Sequence, residues 1–288
     1  MTNLSEFTFL SSDGKTQLHG MLWEPEGVAV RAVLQICHGV AEHIARYDGF
    51  ARALNEQGIV VAGHDHLGHG KSLPEGGTPV YFGDGNTWNT VVDDIYILHQ
   101  RLKQRYPDAP LCIMGHSMGS FLTRTYLIRY PGTVKAAVIM GTGWQPRVTE
   151  LAFGSYNKLF APNRTKVDWL SADESNVDDY IADPLCGADA TVGLFRQMLH
   201  GIRFNQRQSH LRQMDREMPV LFVAGDKDPV GSCGKGVRQT YDAFRAAGMR
   251  DCTLKLYPGL RHEILNEKAY TADITKNIEA WLLSRLEK

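Results

Sequence analysis

The stretch Leu111-Cys112-Ile113-Met114-Gly115-His116-Ser117-Met118-Gly119-Ser120 decides the fold of this 288-residue chain. It opens with a short apolar run, which is typical of a strand buried on both faces of a parallel sheet. The run continues into a Gly-x-Ser-x-Gly turn and then into a helical pattern over Ser117–Arg129. This order of strand, sharp turn and helix predicts a serine hydroxyl at the carboxyl end of a strand, above the positive end of a helix.

Similar apolar runs occur on both sides of this stretch and alternate with helical patterns. The further buried-strand runs are Ala32–Cys37, Val60–Ala62, Ala136–Met140 and Val220–Ala224, with the more amphipathic Cys252–Tyr257 as another. The helical patterns are Asp48–Gln57, Thr90–Arg105, Val237–Ala247 and Tyr270–Leu286. Such alternation predicts an α/β fold with a mostly parallel, doubly wound sheet. Glu6–Phe9 and Leu18–Trp23 alternate in polarity instead, which predicts an N-terminal antiparallel hairpin at one edge.

One long segment, residues 144–216, lacks any buried-strand run. It contains helix-like clusters around Phe153–Phe160 and Val192–Ile202. A structureless loop of that length is unusual inside a compact domain. We therefore expect a core domain built from residues 1–143 and 217–288, with residues 144–216 inserted as a helical cap. The cap should cover the crevice beyond the carboxyl ends of the strands, where ligands bind in such sheets.

The bulk composition excludes several classes of function. Hydrophobic residues make up 43%, charged residues 22%, and the formal net charge is −1. We therefore expect no nucleic-acid or anionic-membrane partner. His64, His66 and His69 fit no zinc spacing well, so we expect neither a metal nor an organic cofactor. The cysteines are scattered, and the sequence shows neither a signal-peptide pattern nor an apolar run long enough to cross a membrane. These features favour a cytoplasmic protein, and they indicate no particular oligomeric state.

A nucleophilic serine needs a base and an acid, and the chain offers both after later strands. A hydroxyl is barely ionised at neutral pH, so Ser117 requires a general base. His262 follows the Cys252–Tyr257 run, on the crevice side of the sheet. Asp228 and Asp226 both follow Val220–Ala224. We favour Asp228 as the acid because Asp226 is placed to complete the turn off the strand.

Attack on a carbonyl also requires N–H donors for the oxyanion. One donor should be the backbone N–H of Met118, the residue after the nucleophile. The other should be the N–H of Val40, in the loop that follows Ala32–Cys37. We expect His38 and Gly39 to shape that loop rather than to take part in proton transfer.

Taken in order, these motifs resemble the monoacylglycerol lipase and lysophospholipase branch of the α/β-hydrolases, the serine aminopeptidase S33-like enzymes. The matching pieces are His38-Gly39-Val40-Ala41-Glu42-His43 with Arg46-Tyr47, Asp65-His66-Leu67-Gly68-His69-Gly70-Lys71-Ser72, Gly115-His116-Ser117-Met118-Gly119-Ser120, Asp228 and His262. The resemblance implies that these are the oxyanion loop, a structural turn, the nucleophile elbow, the acid and the base. Ala41 stands where many members have glycine, as is common in bacterial-type members.

The resemblance implies a serine hydrolase that cleaves carboxylic esters through an acyl-enzyme. Substrates would be monoacylglycerols, lysophospholipids or smaller acyl esters, and apolar cap residues would contact the acyl chain. The candidates for that contact are Trp144, Phe153, Phe160, Phe195 and Met198.

Two alternatives stay open at this point. The first is an aminopeptidase or thioesterase on the same fold. An aminopeptidase should place a carboxylate near the crevice, and the cap offers Glu150, Asp168, Asp173, Glu174, Asp178 and Asp179. The second, more remote alternative is a ligand-binding homologue without catalysis.

Overall fold

Eight strands form one sheet in the part of the chain that the computed structural model describes, residues 1–144 and 153–286. The strands are β1 Thr2–Leu10, β2 Gln17–Pro25, β3 Ala32–Cys37, β4 Ile59–His64, β5 Leu111–His116, β6 Ala136–Met140, β7 Val220–Gly225 and β8 Cys252–Tyr257. The helices are α1 Asp48–Asn55, α2 Thr87–Arg105, α3 Met118–Arg129, α4 Phe153–Tyr156, α5 Glu174–Ala182, α6 Val192–Asn205, α7 Gln208–Leu211, α8 Lys235–Ala246 and α9 Thr271–Leu286.

The strand order is β1-β2-β4-β3-β5-β6-β7-β8. The β1–β2 and β2–β4 pairs are antiparallel, and every other pair is parallel. The predicted sheet and its N-terminal hairpin are therefore confirmed. Because β3 to β8 run in one direction, the loops that follow them meet at one edge, where the sequence places its candidate residues.

Helices cover both faces of the sheet. All six residues of β3 are buried, and they alternate between the two faces. Val33 packs into the layer formed with α2, α3 and α8, whereas Leu34 packs into the layer formed with α1 and α9. A strand enclosed on both faces has no polar side, which is why five of the six residues of β3 are apolar; the exception, Gln35, is buried and donates to the carbonyl of Ile95 at 2.8 Å.

The described part of the segment between β6 and β7 is helical, and its longest helix, α6, packs on α2 and α3. Asn205 of α6 is fully buried, donates to the carbonyl of Phe121 at 2.8 Å and accepts from Thr125 Oγ1 at 2.9 Å. Gly201 lies directly against the Trp88 indole. The segment is thus fixed to the helix that follows Ser117. No helix within the described ranges has the length and apolarity to cross a bilayer.

Two helical glycines allow the contact between α6 and the core to be tested. A Cβ at Gly201 would lie 2.1 Å from Trp88, whereas a Cβ at Gly49 of α1 would meet nothing within 4 Å. Both G201A and G49A gain helix propensity, up to about 1 kcal/mol. We expect G49A to be neutral or slightly more stable and G201A to lose roughly 1–3 kcal/mol through overpacking. Denaturant unfolding of both variants checks this, and equal stability of the two would contradict the packing described.

Candidate active site

Ser117 lies between β5 and α3 in a strained backbone conformation. Its φ is 54° and its ψ is −121°, and Met118 begins the helix. Non-glycine residues rarely adopt positive φ, so the surrounding structure must hold the turn. The Ser117 N–H donates to the carbonyl of Met140 at 3.0 Å, and Ser120 Oγ donates to the Ser117 carbonyl at 2.6 Å. These bonds fix both peptide groups of the serine.

The glycines at either side of the turn are required by close backbone approach. A Cβ at Gly119 would lie 2.0 Å from the carbonyl oxygen of Cys37 at the end of β3. A Cβ at Gly115 would lie 2.3 Å from the Gly119 carbonyl. The Gly-x-Ser-x-Gly pattern therefore follows from the crossing of β5, α3 and the end of β3.

His262 and Asp228 form a buried hydrogen-bonded pair. His262 Nδ1 lies 3.0 Å from Asp228 Oδ1, and the residues are 2% and 0% exposed. Asp228 Oδ1 also accepts from the N–H of Val230 at 2.9 Å. Asp226 instead accepts from the N–H of Gly259 at 2.8 Å and holds the turn before His262. The geometry thus pairs the histidine with Asp228 and gives Asp226 the turn-forming role.

The segment before α5 holds the histidine loop from above. The N–H groups of His262 and Glu263 donate to the carbonyl of Leu170 at 3.0 and 2.8 Å. The Trp169 indole lies against the imidazole of His262, with ring centroids 5.0 Å apart. Movement of this segment would therefore move the imidazole as well.

The loop after β3 lies directly against the nucleophile. A Cβ at Gly39 would come within 3.2 Å of Ser117 Cβ. His38 Nε2 accepts from the N–H of His66 at 2.9 Å, so its Nδ1 carries the proton and donates to the Gly39 carbonyl at 2.7 Å. His38 thus shapes the loop, as expected. Ala41 has a φ of 53°, which explains why glycine suits this position.

Asp65 organises the turn after β4. Its carboxylate accepts from the N–H groups of Ile44 and Lys71 at 2.8 and 2.9 Å and pairs with His19 at 2.9 Å. Although burial opposes ionisation, these hydrogen bonds lower the pKa of Asp65 to about 2. Burial lowers the pKa of His64 and His69 to about 3, so both rings are neutral packing groups at physiological pH.

A buried ionic cluster, formed by Glu42, Arg46, His116 and Glu263, lies behind Ser117. Arg46 binds both oxygens of Glu263 at 2.8 Å and contacts Glu42 Oε2 at 3.1 Å. Glu42 Oε1 accepts from the N–H of Gly39 at 2.5 Å and lies 3.1 Å from His116 Nδ1. The cluster therefore joins the loop that carries Val40 to the elbow and to the histidine loop.

The protonation states in the buried ionic cluster follow from its contacts. Burial alone would raise the pKa of Glu42, but the hydrogen bond and charge of His116 and the charge of Arg46 hold it well below its usual value. Burial opposes a charged His116, yet Glu42 and then the charge of Glu263 raise its pKa. His116 Nε2 also lies 3.3 Å from the carbonyl oxygen of His262. An imidazolium that donates from both nitrogens satisfies both acceptors.

A pocket of about 300 Å³ opens onto this arrangement. Among the described residues that line it are Ser117, His262 and Val40. The remaining described lining residues are Gly39, Ala41, Glu42, His116, Lys166, Val167, Trp169, Leu170, Tyr180, Gly187, Ala188, Asp189, Ala190 and Glu263. The pocket thus brings the predicted nucleophile and base together with the loop of the predicted oxyanion donor.

The predicted substrate contacts lie elsewhere in the described structure. Phe160 packs against the guanidinium of Arg261, 4.1 Å from its ring centroid. Met198 is buried in the core and Phe195 packs against it. Trp144 lies beside α8 at the end of the first described range, and the side chain of Phe153 lies outside the described residues. Phe160, Met198, Phe195 and Trp144 are not among the described lining residues of the pocket. Their contact with substrate therefore stays a prediction.

Sequence reasoning missed the buried ionic cluster and the cap residues around the pocket. From the sequence, Glu42 and Arg46 were identified only as parts of a family motif, and Glu263 was not identified as part of the site. A signal was present, since charged residues flank both the Val40 loop and His262. Lys166, Val167 and Ala188 carry no comparable signal, because a loop residue's direction depends on how the whole segment docks.

Several known proteins are similar to this chain over most of its length. The family model described as "Serine aminopeptidase, S33" matches residues 28–269. The chain is 31% identical over 295 residues to a monoacylglycerol lipase of Mycolicibacterium smegmatis, covering 98% of each chain. It is 28% identical over 287 residues to the monoglyceride lipase of Homo sapiens, covering 96% of this chain and 89% of the human one. A thermostable carboxyl esterase from Bacillus coagulans, solved with glycerol, superposes with a TM-score of 0.92 at 26% identity, covering 99% and 100% of the chains.

Exchanging each aspartate after β7 separates their roles. In D228N the neutral amide lacks the charge that stabilises the imidazolium, and its NH2 group can face Nδ1 and favour the wrong tautomer, so kcat should fall roughly 10³–10⁴-fold. In D226N the Asn oxygen can still accept from Gly259, so kcat should change less than about threefold. Steady-state hydrolysis of a soluble short-chain ester measures both. An equal loss in the two variants would remove the distinction.

The raised pKa of His116 predicts how stability depends on pH. The pKa of His116 is higher in the folded state than the ordinary histidine value of 6.5. Its protonation therefore contributes fully to the stability of the fold below pH 6.5, and this contribution is lost as the pH rises through the folded-state pKa. The unfolding free energy of H116Q should therefore fall below that of the wild type by about 3 kcal/mol at pH 6. The gap should narrow above neutrality. A pH-independent gap in denaturant unfolding would show that His116 carries no charge.

Proposed function

The chain belongs to the serine aminopeptidase S33 family of α/β-hydrolases, and from this membership we propose that it hydrolyses monoacylglycerols through an acyl-enzyme on Ser117. It is a serine hydrolase that acts on carboxylic esters. The observation that carries the proposed mechanism is the pocket in which Ser117, the Asp228-paired His262 and the Val40 loop meet.

In the first half of the reaction, the Ser117 hydroxyl attacks the ester carbonyl while His262 Nε2 takes its proton. Asp228 accepts from Nδ1, which fixes the tautomer that leaves Nε2 free as a base. The same carboxylate stabilises the imidazolium that forms. His262 then returns the proton to the departing alcohol, and the acyl group stays on Ser117.

The developing negative charge is held by backbone donors. The N–H of Met118 projects at the start of α3, where the helix dipole adds positive potential. The N–H of Val40 is the second donor, and the Glu42–Gly39 bond fixes the peptide just before it. Preorganised donors of this kind are each worth roughly 10²–10³ in rate. Water then repeats the sequence on the acyl-enzyme and releases the fatty acid.

The preference for a monoacylglycerol rests on two observations. Relatives that span nearly the whole chain are named as monoacylglycerol or monoglyceride lipases. The described pocket lining also combines apolar side chains, such as Val167, Trp169 and Leu170, with polar ones, such as Lys166 and Asp189. An ester with an acyl chain on one side and a small polyol on the other suits a pocket of this mixed character.

An aminopeptidase would need an uncompensated carboxylate for the substrate amine. Glu42 and Glu263 line the pocket, but their carboxylates are already paired with Arg46 and His116. Of the cap candidates that lie in the described ranges, Asp168 accepts from the N–H of Arg164, and none lines this pocket. Glu150 lies outside the described residues. Asp189 also lines the pocket, so the preference for ester hydrolysis rests on the relatives, which are named as monoacylglycerol or monoglyceride lipases.

A substrate panel tests the proposal. Monoacylglycerols of rising chain length, a lysophospholipid, an acyl thioester and an aminoacyl amide are compared by kcat/KM. We expect the monoacylglycerols to lead and the amide to be cleaved at least about 10³-fold more slowly, since its leaving group is poorer. S117A should be inactive, whereas S120A, which lacks only the hydroxyl bonded to the Ser117 carbonyl, should retain activity. A panel led by the aminoacyl amide would overturn the proposal.

A further inference from the structure

Three metal-ligating side chains meet beside the Val40 loop, outside the groups used in hydrolysis. His43 lies two residues after Ala41, while Asp183 and Cys186 lie in the turn that follows α5. One ligand atom of each lies within 4.8 Å of those of the other two. His43 Nε2 is 2.8 Å from Asp183 Oδ2. We call these three residues the loop–cap cluster.

The turn that carries two of the three ligands is fixed by its own backbone. The N–H of Cys186 donates to the carbonyl of Asp183 at 3.0 Å. The N–H of Leu185 donates to Asp183 Oδ1 at 2.9 Å, which leaves Oδ2 directed at His43. A spacing of three residues in a closed turn therefore holds a carboxylate and a thiol together before any ion binds.

The two sides of the loop–cap cluster are also tied to each other. The N–H of Gly187 and the hydroxyl of Tyr180 both donate to the carbonyl of Ala41, at 3.0 and 2.9 Å. His43 is 8% exposed, so its imidazole has little freedom to turn away. Ligands held in place by surrounding bonds lose little conformational entropy when a metal binds.

The donor set selects the class of metal. An imidazole nitrogen, a carboxylate oxygen and a thiolate sulfur suit Zn²⁺ and its first-row neighbours, whereas Mg²⁺ and Ca²⁺ prefer oxygen alone. A tetrahedral ion with bonds of roughly 2.0–2.3 Å separates its ligand atoms by roughly 3.3–3.8 Å. The His43 Nε2–Asp183 Oδ2 separation of 2.8 Å is shorter than this range, and no separation exceeds 4.8 Å, so adjustments of about 1 Å complete the site.

The charge balance also favours a divalent cation. Binding of Zn²⁺ would release the proton of the Cys186 thiol to solvent, and the resulting thiolate together with the Asp183 carboxylate would neutralise the two charges of the ion. Arg46, which interacts electrostatically with Cys186, is already engaged by Glu42 and Glu263. The guanidinium therefore repels an incoming cation only weakly.

We propose that His43, Asp183 and Cys186 form a Zn²⁺-binding site that cross-links the Val40 loop to the segment above it. Three protein ligands leave one coordination position for water. The ion takes no part in ester hydrolysis, and its effect is to hold the segment after α5 against the loop. Binding should therefore raise the thermal stability of the folded chain, because the unfolded chain does not hold these ligands together.

Direct binding to the purified full chain tests the site without reference to activity. Calorimetric titration with Zn²⁺ should give one saturable site per chain, and Zn²⁺ should raise Tm. Co²⁺ should bind with a thiolate-to-metal charge-transfer band in the near ultraviolet. C186S should lose that band and weaken Zn²⁺ binding at least about tenfold, as expected for loss of a ligand.

Two further variants complete the test. C233S removes an exposed thiol elsewhere in the chain and should keep the band, the stoichiometry and the Tm shift. D183N removes a second ligand and should also weaken binding, but it breaks the His43 contact as well, so C186S is the cleaner variant. Absence of saturable binding in the wild type, a cobalt band that survives in C186S, or one that disappears in C233S would each overturn the proposal.

Discussion

Two buried carboxylates behind the nucleophile constrain this active site more than any apolar contact. Glu42 and Glu263 are excluded from water, and a buried charge is tolerated only when it is paired and hydrogen-bonded. Arg46 and His116, whose pKa Glu42 raises, provide the pairing. Since the four residues come from three separate parts of the chain, the loop after β3, the end of β5 and the loop after β8, pairing their charges also holds those parts together. The Val40 loop, the elbow and the His262 loop are thereby placed relative to one another.

The helical segment between β6 and β7 is part of this placement. Leu170 accepts from the backbone of His262 and Glu263, and Asn176 of α5 donates to Glu263 Oε2 at 2.9 Å. The same segment supplies Trp169 to the pocket wall. Packing of α6 on α3 through Asn205 fixes its far end. The described part of the segment therefore supports the geometry of the site, while the division of the chain into a core and an inserted cap of residues 144–216 stays a prediction.

The sequence predicted most of the sheet because β3 to β7 are enclosed on both faces and read as short apolar runs that alternate with helical patterns. Ser117, Asp228 and His262 could be proposed as a catalytic set because each follows a strand at the same edge. Helix α5 was not predicted, since its Asp and Asn residues mask a short apolar face. The lining of the pocket could not be predicted either. The directions of Lys166 and Ala188 depend on contacts with distant parts of the chain, which no local pattern records.

The carbonyl of Ala41 accepts hydrogen bonds from both Tyr180 and Gly187. The free energy of these bonds therefore depends both on the position of the segment that carries α5 and on the conformation of the oxyanion loop. Thermodynamic linkage makes the coupling between the loop and this segment reciprocal. If an oxyanion on the Val40 and Met118 donors strengthens the docking of α5 by some factor, docked α5 strengthens oxyanion binding by the same factor. The oxyanion loop and the segment that carries α5 then behave as one cooperative unit.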